Sequence, residues 1–225
     1  MIIDIPIEYE WVDLDLLPAG DRSGEHAPGT ATRVSLSMPC VVQLPPDREK
    51  LGNELYEFLR EERKRYELKA MVLACSFVSR DAPLLKAILA ISLERDDGIA
   101  ENRPVAWNLT PERLTKPGTH FSSTFSLELS INPKVRVEVA EQPTTQDDQH
   151  ILIAHGEGSS TPEWEFKRTK QSDFDGIHRI GMTIMTPRGA PATARLALSA
   201  LIRHRKLGLI PCSANLPPQL QLAAL

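Results

Sequence analysis

Residues 67–94, ELKAMVLACSFVSRDAPLLKAILAISLE, contain two apolar runs separated by a short polar linker. The first run, from Leu68 to Val78, is rich in residues that favour strands. The linker includes Pro83 and is typical of a loop. The pattern predicts two adjacent antiparallel strands, the second over residues 84–94. A helix is the alternative for the second run, because periodicity does not separate a short buried strand from a buried helix.

Other segments favour strands because apolar and polar residues alternate along them. Residues 2–12 alternate cleanly, and Pro6 on the polar side indicates an edge strand, since proline cannot donate to a ladder. Residues 121–139 predict a hairpin with its turn at 132–134. Further strands are predicted at residues 33–44, 151–153, 163–167 and 177–185.

Three segments favour helices. A helix is predicted from Asp47, which can cap it, to about Tyr66, because apolar residues recur at helical spacing between them. A single helical turn is predicted at 109–114, where a threonine precedes a proline. Residues 191–206 have proline at the start and cations at the end, with Gly208 beyond, which together predict a third helix. A buried strand is the competing interpretation of that segment.

These elements predict an α+β fold, with a mainly antiparallel sheet or two packed sheets and two or three helices on one side. Strands and helices do not alternate regularly, which argues against a doubly wound nucleotide-binding fold. The 225 residues, of which 41% are hydrophobic and 25% charged, are consistent with a single globular domain over 1–225. A subdivision near 142–150 is the alternative.

The cysteine pattern and the start of the chain predict a soluble, cytoplasmic protein. Cys40, Cys75 and Cys212 are odd in number and far apart, which fits free thiols better than a disulfide framework. The first residues do not resemble a signal peptide. No stretch approaches the roughly 20 apolar residues that span a bilayer, so no membrane association is expected.

The charge is distributed unevenly along the chain. The net charge of −4 argues against nucleic acid as a partner. Residues 151–225 carry nine Lys and Arg against five Asp and Glu, a net of +4, whereas residues 1–150 carry seventeen against twenty-five, a net of −8. These oppositely charged parts could attract each other within one fold or between subunits.

The sequence lacks the common phosphate-loop, dinucleotide-binding, zinc-protease, paired-cysteine and nucleophile-elbow motifs, and no cofactor or metal is predicted. The most suggestive segment is 151–160, where a predicted strand ends at His155 and glycines and serines follow. This order could place His155 as a base near the hydroxyl of Ser159. The alternative is that the glycines turn the chain and the serines are solvated.

Two further clusters contain side chains that could act in catalysis or in ligand binding. Asp173, Asp175 and His178 are close enough in sequence to bind a metal or to form an acid–base set, although both aspartates suit a turn equally well. If His155 and His178 converged in space, two imidazoles with these carboxylates would form a plausible site.

The second cluster is basic. Arg203, Arg205 and Lys206 could bind an anion, although the last turn of a helix would by itself favour cations there.

The first functional hypothesis is a non-enzymatic interaction or assembly protein that binds a protein partner or itself. It depends on the charge asymmetry, on the missing catalytic motifs and on an exposed edge at residues 2–12 that could accept another strand. The alternative is a small-ligand-binding protein or hydrolase-type enzyme with its site near His155, Ser159 and His178. An anion-binding module at Arg203–Lys206 is a third possibility.

Overall fold

The structure is a computed structural model, and it describes residues 2–18, 32–44, 53–79, 82–97, 102–116, 124–128, 149–204 and 208–225. The strands are β1 (Ile2–Pro6), β2 (Trp11–Pro18), β3 (Arg33–Ser37), β4 (Cys40–Gln43), β5 (Tyr66–Val78), β6 (Leu84–Arg95), β7 (Val105–Thr110), β8 (Arg113–Leu114), β9 (Thr124–Glu128), β10 (Leu152–His155), β11 (Glu163–Lys167), β12 (Gly176–Pro187), β13 (Ala192–His204), β14 (Gly208–Asn215) and β15 (Leu222–Ala224). The helices are α1 (Asn53–Glu62) and α2 (Pro218–Gln221).

Thirteen strands form one sheet that curls into a half-barrel, and eleven of them follow one another in the order β7-β12-β5-β3-β2-β14-β13-β6-β11-β10-β8. β4 also pairs with β5, and β15 also pairs with β13. β1 and β9 make a separate two-stranded sheet. The predicted α+β fold is therefore wrong, because the described residues are mostly antiparallel strand with one short helix, α1, and a single further turn, α2.

The two apolar runs at 67–78 and 84–94 are strands, β5 and β6, but they do not pair with each other. β5 pairs with β12 along its whole length, and β6 pairs with β13. After Ser79 the chain crosses from the wall of the curled sheet that contains β5 to the opposite wall, which contains β6. The backbone N–H and the hydroxyl of Ser79 both donate to the Asp175 carboxylate, at 3.1 and 2.8 Å. The two walls meet across the core, where the rings of Phe77 and Phe166 lie 4.8 Å apart.

The core lies inside the curl and is built by inward-facing side chains of alternating strand residues. On β6 the buried positions are Ala87, Leu89, Ile91 and Leu93, and the residues between them are partly exposed. Burial of one large apolar side chain contributes roughly 1.5–3 kcal/mol. The alternation thus fixes which face of β6 is turned inward.

A second apolar layer covers the outside of β5. Phe125 and Leu127 of β9 pack with Ile5 of β1 against Val72 of β5. Gly181 on β12 makes this layer possible, because a Cβ there would lie 2.7 Å from the Phe125 ring. β5 is therefore buried on both faces, which explains why its sequence is a continuous apolar run instead of an alternating one.

The predicted helix over 191–206 is wrong: residues 192–204 are β13, so the competing interpretation, a buried strand, is the one found. The outward positions of β13 include Ala197 and Ser199, so small residues on the exposed face hide the period-two pattern. Pairing with β6 over nearly the whole strand outweighs the helix propensity of alanine and leucine.

The predicted helical turn at 109–114 is also wrong. β7 ends at Thr110, a cis peptide bond joins it to Pro111, and β8 follows. The carbonyls of Glu112 and Leu114 accept hydrogen bonds from Ala154 and Ile151, which holds the segment extended.

The remaining segments differ in detail from the prediction. The single strand expected over 2–12 is two elements, β1 and the start of β2, and β1 belongs to a two-stranded sheet. α1 lies inside the predicted 47–66 helix, of which residues 47–52 are outside the described part. The predicted hairpin contributes β9, which pairs with β1; residues 129–148, including most of the possible subdivision at 142–150, are not described. Neither described helix is long and apolar enough to cross a membrane.

We predict that Ser37→Ala lowers the free energy of unfolding by about 1–3 kcal/mol. The buried Ser37 hydroxyl accepts the backbone N–H of Ala74 at 2.8 Å, at the junction where β5 changes partner from β3 to β4. Without the hydroxyl, that N–H is buried with no acceptor. Urea unfolding measures the loss.

Ser35→Ala is the matched control for this prediction. Its hydroxyl lies at the surface and donates to Asp13 at 2.6 Å. The control is expected to change stability by less than about 0.5 kcal/mol. Equal losses in the two variants would contradict the importance of the buried Ser37 hydroxyl.

Candidate functional site

A cavity of about 550 Å³ lies where the two ends of the curled sheet approach each other. The end strands are β7 and β8, which are consecutive in the chain although they occupy opposite ends of the sheet. Leu109 of β7 and Ala154 of β10 supply apolar lining, and the loop from Gly156 to Glu163 forms another wall. The cavity therefore exists because the curl brings distant strands together.

The β10–β11 loop is tied to the free edge of β7. Gly158 donates its backbone N–H to the carbonyl of Ala106 at 2.7 Å, and Ala106 donates to the carbonyl of Ser159 at 2.8 Å. This reciprocal exchange resembles one step of an antiparallel ladder. It connects the loop to β7, the strand at one end of the sheet.

The same loop is tied to β6 on its other side. Leu93 donates to the carbonyl of Ser160 at 2.8 Å, and Ile91 donates to that of Pro162 at 2.9 Å. These bonds continue the ladder that β11 makes with β6. The segment 158–162 therefore bridges β6 and β7 and fixes one wall of the cavity.

Gly156 begins the tight turn of this wall. Its φ is +83°, and a Cβ there would lie 2.7 Å from the carbonyl oxygen of Thr161 and 2.9 Å from the Ser159 hydroxyl. A positive φ and a close approach of backbone both require glycine. The turn interpretation of the glycines thus holds at this position.

The hydroxyl of Ser159 takes part in the turn. It donates to the carbonyl of Gly156 at 2.8 Å and accepts the backbone N–H of Thr161 at 3.1 Å. A serine nucleophile instead needs its proton directed at a base. His155 and Ser159 line the same cavity, but Ser159 directs its proton to Gly156.

Charged side chains from four segments converge on the cavity. His155, exposed at the end of β10, lies directly opposite Glu163 of β11. Glu112 lies just before β8, Arg113 is the first residue of β8, and Glu157 comes from the β10–β11 loop.

One of these carboxylates has a fixed position. Glu157 accepts a hydrogen bond from the side-chain amide of Asn108 at 3.0 Å.

The sequence patterns pointed to His155 and Ser159 but not to Glu112, Arg113, Glu157 and Glu163. Glu157 and Glu163 lie in the same hairpin as His155, whereas Glu112 and Arg113 reach it only because β8 pairs with β10.

His178 does not reach this cavity. It is buried on β12, within an aromatic cluster that includes Phe77 and Phe166. Its Nε2 lies 2.6 Å from the carbonyl oxygen of Phe174, so Nε2 carries the proton and donates. Burial lowers the pKa of His178, although the Phe174 carbonyl and the Asp175 charge act in the opposite direction. The structure thus separates His178 from His155 and Ser159.

The aspartates near His178 have structural partners. Asp175 accepts both hydrogen bonds from Ser79, and Asp173 pairs with Arg168 at 2.6 Å. Within the described residues, no group of three or more His, Cys, Asp or Glu side chains is placed to hold a metal ion. Each aspartate therefore has a role in stabilising a turn.

The predicted anion-binding cluster is described only in part. Arg203 is exposed on β13, next to the end of β6, where its backbone N–H donates to the carbonyl of Pro83. Arg205 and Lys206 lie outside the described residues. Anion binding by these three residues stays a prediction.

Comparison with known proteins gave no match: no protein-family model fits the chain, and no curated protein is significantly similar to it.

We predict that Gly156→Ala disrupts the cavity wall and that Gly158→Ala is the milder matched control. Both glycines have φ near +80°, so alanine adds a conformational cost of roughly 1 kcal/mol at each position. Only at Gly156 would the new methyl group also collide with backbone. Urea unfolding should show a clearly larger loss for Gly156→Ala, and equal losses would contradict the described turn.

We also predict that His178 makes stability pH-dependent. Burial lowers the pKa of native His178, so on acidification the unfolded chain, whose histidine titrates at about pH 6.5, takes up a proton before the native protein does. The contribution of His178 is complete above pH 6.5. As the pH falls below that value, the free energy of unfolding decreases by at most about 1.4 kcal/mol per pH unit from this group.

His178→Gln tests this assignment, because the glutamine amide can still donate to Phe174 but does not titrate. Unfolding free energies of the two proteins are compared between pH 5 and pH 8. The difference between them should change below pH 6.5 and be constant above it. Parallel curves over the whole range would show that His178 is not the titrating group.

Proposed function

We propose that the chain is a ligand-binding protein whose cavity, bordered by β7, β8, β10 and the loop 156–163, takes a small organic cation. The observation that carries this proposal is the convergence of three carboxylates, Glu112, Glu157 and Glu163, on one cavity of about 550 Å³.

The size and lining of the cavity support a small molecule as the ligand. Pockets that bind small molecules usually measure roughly 300–1,000 Å³ and combine apolar surface with a few convergent polar groups. Here Leu109 and Ala154 supply the apolar part, and Ser159 and Thr161 add hydroxyl-bearing residues to the rim.

The charge of the lining supports a cation. Three glutamates and one arginine, Arg113, give the lining a formal charge of −2 when the imidazole is counted as neutral. Carboxylates form strong charge-assisted hydrogen bonds with ammonium and guanidinium groups. A concave site of one sign also concentrates ligands of the opposite sign. An amine or guanidine with a short apolar body fits both the charge and the lining.

The rigidity of the wall supports binding without large rearrangement. The segment 158–162 is held from both sides by backbone hydrogen bonds, and Asn108 orients Glu157. A site whose groups are already positioned loses less entropy when the ligand arrives.

Binding is better supported than hydrolysis. The Ser159 hydroxyl donates to a backbone carbonyl, and His178 is buried in the core away from the cavity. The remaining pair, His155 and Glu163, can contact a ligand but is not accompanied by an available serine nucleophile.

An assembly role is kept as a second proposal, because the outer face of the sheet carries exposed apolar residues on β14 and β15. It does not exclude ligand binding.

We predict that Glu163→Gln weakens cation binding about tenfold, because it removes one of the three carboxylates without changing side-chain size. Isothermal titration calorimetry measures the dissociation constants of agmatine and choline, with glutarate as an anionic comparison. Glu165→Gln is the matched control: it lies two residues along the same strand, outside the cavity lining, and pairs with Lys86 at 2.9 Å. Its affinity should equal that of the wild type.

Two results would contradict the proposal. One is the absence of binding of either cation at millimolar concentration. The other is tighter binding of glutarate, which would show that the charge preference is opposite to the one inferred.

A further inference from the structure

The outer face of the sheet around β6 and β13 presents small side chains at its centre. Ala90 of β6 lies opposite Ala197 of β13, and Ile88 lies opposite Ser199. Directly opposite residues of an antiparallel pair point to the same face. Because the side chains at this centre are short, another surface can approach the backbone closely.

Exposed apolar side chains flank this centre. Leu209 is 57% exposed and lies opposite Arg203; Leu222 is 46% exposed and lies opposite Arg195. They are the two most exposed large apolar side chains in the described part of the chain. Both lie on the same side of β13, eight residue positions apart along that strand, and add apolar surface at the border of this face.

The charges on this face are arranged symmetrically about its centre. Outward positions of β6 read Lys86, Ile88, Ala90, Ser92 and Glu94. The cation and the anion are each four residues, or about 13 Å, from Ala90, in opposite directions. A surface with this pattern is complementary to a copy of itself turned by 180°.

We propose that a second copy of the chain packs on this face, related by a two-fold axis that lies in the interface along the Ala90–Ala197 row. This axis brings Lys86 of each copy opposite Glu94 of the other. The contact is isologous, so the assembly closes as a dimer. The proposal does not depend on ligand binding in the cavity.

The ion pairs already present on the face are compatible with this dimer. Lys86 pairs with Glu165 at 2.9 Å, and Glu94 pairs with Arg195 at 3.7 Å, all at partly exposed positions. Exposed pairs of this kind contribute little, so both charges can join an intermolecular network.

Other charges lie towards the edges of the face. Arg203 of β13 lies beyond the end of the face that contains Lys86. Glu163 and Lys167 lie on β11, at its edge. Glu163 lies opposite Ala90, so the proposed axis brings the Glu163 carboxylates of the two copies towards each other at the border of the contact, which weakens the dimer.

The area of the face is sufficient for a weakly associating dimer. Thirteen residues of β13 extend about 43 Å, and four strands span about 19 Å, so the footprint is up to about 800 Å² per copy. That is comparable to one side of a standard protein–protein interface. Curvature reduces the part in contact, so we expect a dimer that dissociates on dilution.

Charge reversal tests the arrangement. Sedimentation equilibrium of the full chain should show a monomer–dimer equilibrium. Lys86→Glu alone and Glu94→Lys alone should each raise the dimer dissociation constant about tenfold or more, because like charges then face each other. The double variant restores opposite charges and should recover most of the affinity. Lys64→Glu, which lies just after α1 and away from this face, is the control and should leave the dimer unchanged.

Ala197→Arg gives an independent test, since a long side chain at the centre of the face blocks close approach. It should abolish the dimer while far-UV circular dichroism stays unchanged. The proposal is overturned if the wild type is monomeric at all concentrations. It is also overturned if the dimer is insensitive to these substitutions, or if the double variant is weaker than either single one.

Discussion

The backbone hydrogen bonds of residues 158–162 are the constraint on which the rest of the structure depends. They join this segment to β6 on one side and to β7 on the other, so the curled sheet is held where its ends approach. Ladder bonds carry no sequence specificity, but they fix the spacing of the walls to within a few tenths of an ångström. The cavity, its carboxylates and the position of His155 follow from that spacing.

The two walls of the curl perform different tasks. β5 is covered on its outside by the β1–β9 sheet and by α1, so this wall is buried on both faces and supplies rigidity. The wall of β6 and β13 has no such cover among the described residues and keeps small and charged side chains outside. The covered wall supports the fold, and the uncovered wall is the one available to a partner. Ligand binding at the junction and self-association on the uncovered wall are therefore separable.

Sequence patterns located most strands but could not give their partners. Alternation identified residues 163–167, and the segments at 67–78 and 177–185 were also strands as predicted. Pairing β5 with β6 was wrong because a five-residue linker permits a crossing as well as a hairpin. Residues 191–206 resembled a helix because Ala197 and Leu201, on the outward face of β13, interrupt the period-two pattern. For the site, local order brought His155 and Ser159 to one cavity, and the β10–β11 pairing adds Glu163, whereas Glu112 depends on the contact of β8 with β10, about 40 residues further along the chain.

The central claim is that a cation binds where the ends of the sheet meet, and titration of the ¹⁵N-labelled protein with agmatine tests it most directly. Backbone amide chemical shifts report each residue separately. We expect saturable shifts concentrated at residues 109–113 and 154–163, with β5 and the outer face of β13 unaffected. Shifts confined to other parts of the sheet, or no saturable shift at millimolar agmatine, would contradict it.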